Sequence, residues 1–252
     1  MLSQLIWWGG ITLESLLLVR AFRGKLAAHY PVFYIYIAFV LSQSLLRFVV
    51  FRWEARLYSP VYWTTEFLGV VAGCAVVFEI CKVSLAAYPG TARLARNLLA
   101  IGFVLACTNA AVAASNDANR WIATCVNLER DVRIVQALTI VALVALLFLY
   151  AIPFGRNLRG ILIGYGLFIG LSVIQLAFVA VMGNLSSKIL SYLHPVSYAI
   201  ALSIWVGHLW AYRANPEPQK TVALEQQYAR VAAATRYRLR EARGYLEKAA
   251  HL

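Results

Sequence analysis

Seven runs of about twenty apolar residues leave this chain one class of fold. They lie roughly at 4–22, 31–51, 60–84, 97–115, 133–153, 160–183 and 190–212. A bilayer core about 30 Å thick is crossed by about twenty residues of helix, and a helix satisfies its backbone polar groups internally. The pattern predicts an all-α, polytopic membrane helix bundle with seven transmembrane helices over 1–213. Composition agrees: 62% of residues are hydrophobic and 13% charged, against about 45–50% and roughly 25% in soluble domains. Such a chain lacks the polar side chains to cover itself in water, so membrane lipid is its expected surroundings.

Proline and glycine punctuate the runs. Pro31, Pro60 and Pro195 are expected in the first turns of their helices, where a missing N–H costs little. Pro89–Gly90 and Pro153–Phe154–Gly155 are expected to close the third and fifth spans. The polar stretch "SNDANRWIATCVNLERDVR", 115–133, is expected to be the longest loop between spans and to face outward. The N-terminal run lacks a basic leader and contains Glu14, so it is read as a retained span. Glycines within the runs (Gly9, Gly10, Gly160, Gly164, Gly166 and Gly170) are expected to let helices approach closely.

The net charge of +12 comes from 23 Lys and Arg against 11 Asp and Glu. The basic residues have no interleaved stacking aromatics on a polar face, which argues against nucleic acid. They read instead as topology. Arg20, Arg23, Lys25, Lys82, Arg93, Arg96, Arg156 and Arg159 fall on one side of seven spans, and Arg213 opens a basic tail on that side. Arg47, Arg52, Arg56, Arg120, Arg130, Arg133 and Lys188 fall on the other. The expected location is a cell inner membrane, with the N-terminus outside and the C-terminus cytoplasmic.

Beyond Pro216 and Pro218 the composition changes, and 214–252 reads as a cytoplasmic linker and amphipathic helix. Leu224, Tyr228, Val231, Thr235, Leu239, Ala242, Leu246 and Ala249 form one stripe of period near 3.6. This helix, over 221–252, is the expected route to a homo-oligomer or a protein partner.

Ionisable groups inside a span are expensive and call for partners. Arg47 and Glu66 fall at similar depth in consecutive antiparallel spans and are expected to pair. Glu79 lies thirteen residues beyond Glu66, about 20 Å deeper, so the two carboxylates form no dyad. Lys82, three residues on, is its expected ion-pair partner, and Arg20 or Arg23 of the first span could also reach that level. Glu14 falls mid-span with no basic residue at its depth; Gln43, Asn109 and Gln175 are its candidate partners.

Among the chemical motifs, HExxH, GxSxG and a Walker loop do not occur, and a non-enzymatic role is favoured. A retinal pigment would need a lysine in the last span, and 190–212 contains none. Of the four cysteines, Cys74, Cys81 and Cys107 lie in apolar runs and Cys125 in the expected loop. No CxxC pair occurs, so no metal site is expected. His194 and His208 are fourteen residues apart, nearly on one face at opposite sides of the membrane. That spacing would suit haem ligation if another chain supplied a second pair.

The stretches "YWTTEFLGVVAGCAVVFEICKVSLAAYPG", "NLERDVRIVQ" and "NLRGILIGYGLFIG" resemble a family of seven-helix bacterial integral membrane proteins of no known activity. The resemblance covers roughly 60–212. It implies seven spans and a bacterial inner membrane, and it marks Glu66, Glu79, Arg130 and Arg133 as family-like positions without giving them roles. The function expected first is a sensory or scaffolding subunit that couples through its C-terminal helix. The alternatives are a transporter or channel with a polar path near Glu14, and a haem-binding redox subunit.

Overall fold

The computed structural model describes residues 2–24, 26–113, 120–149, 152–182 and 187–214, with 226, 229–238 and 240 in the tail. Among them the chain is all-helical: α1 (Leu2–Arg23), α2 (Leu26–His29), α3 (Pro31–Trp53), α4 (Tyr58–Ser84), α5 (Pro89–Ala113), α6 (Arg120–Leu149), α7 (Arg156–Met182) and α8 (Ser187–His208). A 3-10 turn, Ala55–Leu57, links α3 to α4. Five stretches are long and apolar enough to cross a membrane: α3, α4, α5, Asn127–Leu149 of α6 and Arg156–Gln175 of α7.

Six helices close a ring. In order of contact it runs α1, α3, α4, α6, α7, α8 and back to α1, with α4 also touching α7 across the interior. Among the described elements α5 touches only α4 and α6, so it lies outside the ring. The end where α3 stops and α4 starts is called the upper end here. Trp7 of α1 packs on Phe48 of α3 there, with ring centroids 5.0 Å apart. At the lower end Arg20 of α1 donates to the Trp210 carbonyl at 2.7 Å, and Arg156 of α7 donates to that of Gly207 at 3.3 Å.

The interior is mainly apolar, yet large apolar side chains such as Phe22, Phe51, Phe148 and Leu149 are exposed, while Glu14, Gln136, Asn157 and Arg133 are buried. Many exposed large apolar side chains are consistent with a surface that meets lipid. The lower half of the ring is filled. Trp205 of α8 is fully buried at its centre, edge-on to Phe33 at 5.1 Å and stacked on Tyr165 at 6.3 Å.

Two glycines bring α7 and α8 together. A Cβ on Gly160 would lie 2.2 Å from that of His208, and one on Gly164 would lie 2.4 Å from Nε1 of Trp205. Among the described residues nothing lies within 4 Å of a Cβ built on Gly9, Gly10 or Gly170, so no described neighbour requires a glycine there.

Two helices start earlier than expected. α5 starts at Pro89 rather than 97, so Pro89–Gly90 opens α5 rather than closing the third span, and α6 starts at Arg120 rather than 133. In α6, polar residues that read as loop are helical and find partners. Glu129 and Arg133 pair one turn apart, and Asp131 accepts from the Asn109 amide of α5. The expected 115–133 loop is therefore mostly helix, with 115–119 outside the described residues, and Cys125 is buried rather than in a polar loop. Pro195 sits inside α8, not in its first turn. Its missing N–H leaves the carbonyl one turn earlier without the usual donor.

Most of the tail stripe, including Leu224, Tyr228, Leu239, Ala242, Leu246 and Ala249, lies outside the described residues. Residues 229–238 are helical, with Val231 and Thr235 exposed.

Candidate functional site

Charged side chains from three helices meet in the upper half of the ring. Arg47 on α3 donates through Nη2 to Glu66 on α4 at 3.0 Å. It also donates through Nε to the Thr65 hydroxyl at 2.8 Å and through Nη2 to the Tyr62 carbonyl at 3.2 Å. Thr65 can accept because its own hydroxyl turns back to the Val61 carbonyl, 2.8 Å away. The guanidinium lies 4.3 Å from the centre of the Tyr62 ring. The structure thus brings Arg47 and Glu66 together, and short antiparallel connectivity is the physical reason.

Arg133 on α6 is the second cation of the cluster and is only 7% exposed. Its Nη2 lies 2.8 Å from Glu129, one turn earlier, and 3.6 Å from Glu66. Its guanidinium sits 5.1 Å from the centre of the Phe168 ring of α7. Glu66 therefore bridges two arginines, with Glu129 as the second carboxylate. A buried charge is tolerable only when paired in this way.

Below the cluster the ring holds a partly open cavity of about 170 Å³, with Arg47, Glu66 and Arg133 at its charged end. Gln43, Ser44 and Gln136 line its middle, and Tyr36, Tyr165, Phe168 and Tyr198 supply aromatic walls. Gln136 donates to the Cys74 sulfur at 3.3 Å. The Gln43 Oε1 is buried with no hydrogen-bond partner.

Glu14 sits just behind this wall, 2% exposed. Its partner is none of the expected three: Tyr198 of α8 donates to its Oε1 at 2.9 Å. Sequential neighbours are the wrong place to look, because α1 packs against α8 as well as α3. Gln43 lines the cavity, Asn109 bonds Asp131 on the seam between α5 and α6, and Gln175 is half-buried in α7. Glu14 and Gln43 therefore lie at one site and Asn109 at another.

Glu79 makes no ion pair with Lys82. Its two oxygens accept the backbone N–H groups of Val32 at 3.0 Å and Phe33 at 2.8 Å. Those are orphan donors in the first turn of α3, and the carboxylate caps them from a neighbouring helix. Glu79 is thus a fastener at the lower end.

His208 packs over Gly160 and its Nδ1 lies 3.0 Å from the Ile204 carbonyl. The side chain of His194 lies outside the described residues. Among the described residues no three His, Cys, Asp or Glu side chains converge on a metal-sized point. A larger concavity, about 660 Å³, runs along α8 past Val196, Ile200 and Ile204 and is apolar.

Glu129, Gln136 and Tyr198 escape a sequence reading of the site. The four-residue spacing in "NLERDVR" is a signal for Glu129 with Arg133. Tyr198 carries none, since 184 residues separate it from Glu14.

Comparisons with protein-family models, with curated proteins and with solved structures return no match. Fold and site together define an all-helical protein with several membrane-span-like helices and a charged internal cavity.

Proposed function

We propose that the chain is a seven-span inner-membrane protein of sensory type. The upper end faces outward, a small ligand occupies the ring, and the state of the ring passes to a second copy or a partner through 221–252. The observation that carries this reading is a cavity with charged groups at one end and a fully buried aromatic plug beneath it. A site closed from below suits binding and reporting.

The electrostatics of the two ends support the orientation. Carboxylates pair Arg47, Arg130 and Arg133 at the upper end, where Arg52 and Arg56 make no ion pair among the described residues. Among the described residues no ion pair involves Arg20, Arg23, Arg93, Arg96, Arg156 or Arg159 at the lower end. Uncompensated cations belong against the anionic cytoplasmic leaflet.

The test is native mass spectrometry of full-length and 217–252-deleted protein released gently from the host membrane. The full chain is expected to carry the mass of a second copy or another polypeptide, and the truncated chain to lose it while keeping its melting temperature. A truncated protein that retains the extra mass overturns the coupling role of the tail.

One observation favours transport as a second reading: Glu14 is a buried carboxyl bonded to a cavity-wall hydroxyl. Substrate flux in proteoliposomes that collapses in Glu14→Gln would establish it; flux unchanged in that variant removes Glu14 from any path. The redox reading is decided by a reduced-minus-oxidised absorption spectrum of the native protein, with or without haem bands.

A further inference from the structure

The ring cavity has a definite chemical preference, and the inference drawn from it rests on the sensory reading above. Its volume, about 170 Å³, is close to the roughly 150 Å³ that accommodates one benzene. An occupant therefore has about six to eight heavy atoms.

The cavity lining includes the guanidinium side chains of Arg47 and Arg133 and the hydroxyl-bearing side chains of Tyr36, Ser44 and Tyr165. Two guanidinium groups at one end suit a carboxylate, which can accept from both. A bare anion does not suit the local field, because Arg47 and Arg133 are matched by Glu66 and Glu129. The occupant needs a compensating positive group.

The wall provides for that group too. The buried Oε1 of Gln43 has no donor and requires an N–H. The aromatic rings of Tyr36 and Tyr198, which line the cavity, attract a cation. Tyr198 in turn is hydrogen-bonded to Glu14 at 2.9 Å. We infer that the cavity is a binding site for a small zwitterion bearing N–H, namely a small neutral α-amino acid. Its carboxylate meets Arg47 and Arg133, and its ammonium meets Gln43 and the aromatic wall.

The experiment uses the full-length protein in lipid nanodiscs and isothermal titration. The probes are glycine, L-alanine, L-serine and L-proline, with propionate, ethylamine and glycine betaine as controls. At least one amino acid is expected to bind saturably, and at least tenfold more tightly than any control. Gly69→Ala provides the variant that folds: its Cβ would sit at ordinary contact, 3.7 Å from the Gln43 Oε1 and 3.8 Å from Phe39. The added methyl occupies cavity space, so binding is expected to fall tenfold or more with the melting temperature unchanged. Arg133→Gln is expected to lose binding as well. Propionate binding as tightly as the amino acids overturns the zwitterion and identifies an anion site. No binding by the four amino acids overturns the ligand class, and binding unaffected by Gly69→Ala overturns the location. None of these outcomes bears on the tail-deletion experiment, which uses no ligand and decides the sensory reading separately.

Discussion

Replacing Gly164 by alanine tests the contact on which the α7–α8 pair depends. A Cβ there would lie 2.4 Å from Nε1 of Trp205, 2.8 Å from Cδ1 and 3.0 Å from Cε2. The indole must retreat by about 1 Å to reach ordinary van der Waals separation. It has little room to do so. Trp205 is fully buried, donates to the Ile161 carbonyl at 3.4 Å, and is flanked by Phe33 at 5.1 Å and Tyr165 and Tyr198 at 6.3 Å. Overpacking of this kind costs about 1–3 kcal/mol. The gain in helix propensity from Gly to Ala offsets roughly 0.5–1 kcal/mol of it. Gly170→Ala is the matched control on the same helix, since among the described residues nothing lies within 4 Å of its Cβ, and it keeps only the gain. The two alanine variants should therefore differ by about 1–3 kcal/mol, or about five- to 150-fold in the unfolding equilibrium. Reversible unfolding in mixed detergent and SDS micelles, followed by tryptophan fluorescence and circular dichroism, measures that difference. Equal stability of the two variants would refute the close approach of α7 and α8 at Trp205.

Three further outcomes follow from the same contacts. Glu79→Ala should destabilise by about 1–2 kcal/mol because it orphans two N–H groups of α3; an equal loss in Lys82→Ala would restore the ion-pair reading. Glu129→Gln, which leaves Arg133 with Glu66 alone at 3.6 Å, should cost up to about 3–5 kcal/mol, and a double-mutant cycle with Arg133→Gln should show strong coupling; additive losses would count against the pair. Asn157→Ala should loosen the end of α8 selectively, because the buried amide donates to the carbonyls of His208 and Ala211 and accepts from the Arg213 N–H. Hydrogen exchange at 208–213 should accelerate before the rest of the bundle; exchange unchanged there would deny Asn157 that role.

Each apolar run falls largely within a long helix among the described residues, and five stretches there are long and apolar enough to cross a membrane, because crossing a bilayer takes about twenty apolar residues. Where α5 and α6 begin was harder to read for a related reason. Hydropathy reports the lipid-facing part of a helix, while Thr91, Glu129 and Asp131 belong to helical ends that hydropathy reads as loop. The site divides along the same line. Arg47 with Glu66 was legible because their helices are joined by a turn of a few residues. Glu14 with Tyr198 was not, because the ring closes between the first and last long helices, and no local pattern records that closure. Glu79 misled through its nearer neighbour Lys82: spacing along a helix shows which side chains can meet, whereas a free helix N-terminus alongside offered two directed donors.

The positions of the fasteners bear on why a ligand in the upper half would be felt at the tail. The charged cluster joins α3, α4 and α6, and Arg133 lies against Phe168 of α7. A carboxylate inserted between Arg47 and Arg133 competes with Glu66 for both, so its direct effect is on how these helices lean together. Those helices are not free at their other ends. Glu79 fixes α4 to α3, Arg20 fixes α1 to the residues after α8, and Asn157 fixes α7 to the same segment. Trp205 stacks on the cavity-wall residue Tyr165 and packs at a steep angle against Tyr198, also of the wall, and Phe33. A change in the cavity therefore has a packed route down α7 and α8 to Arg213, the residue from which the tail departs.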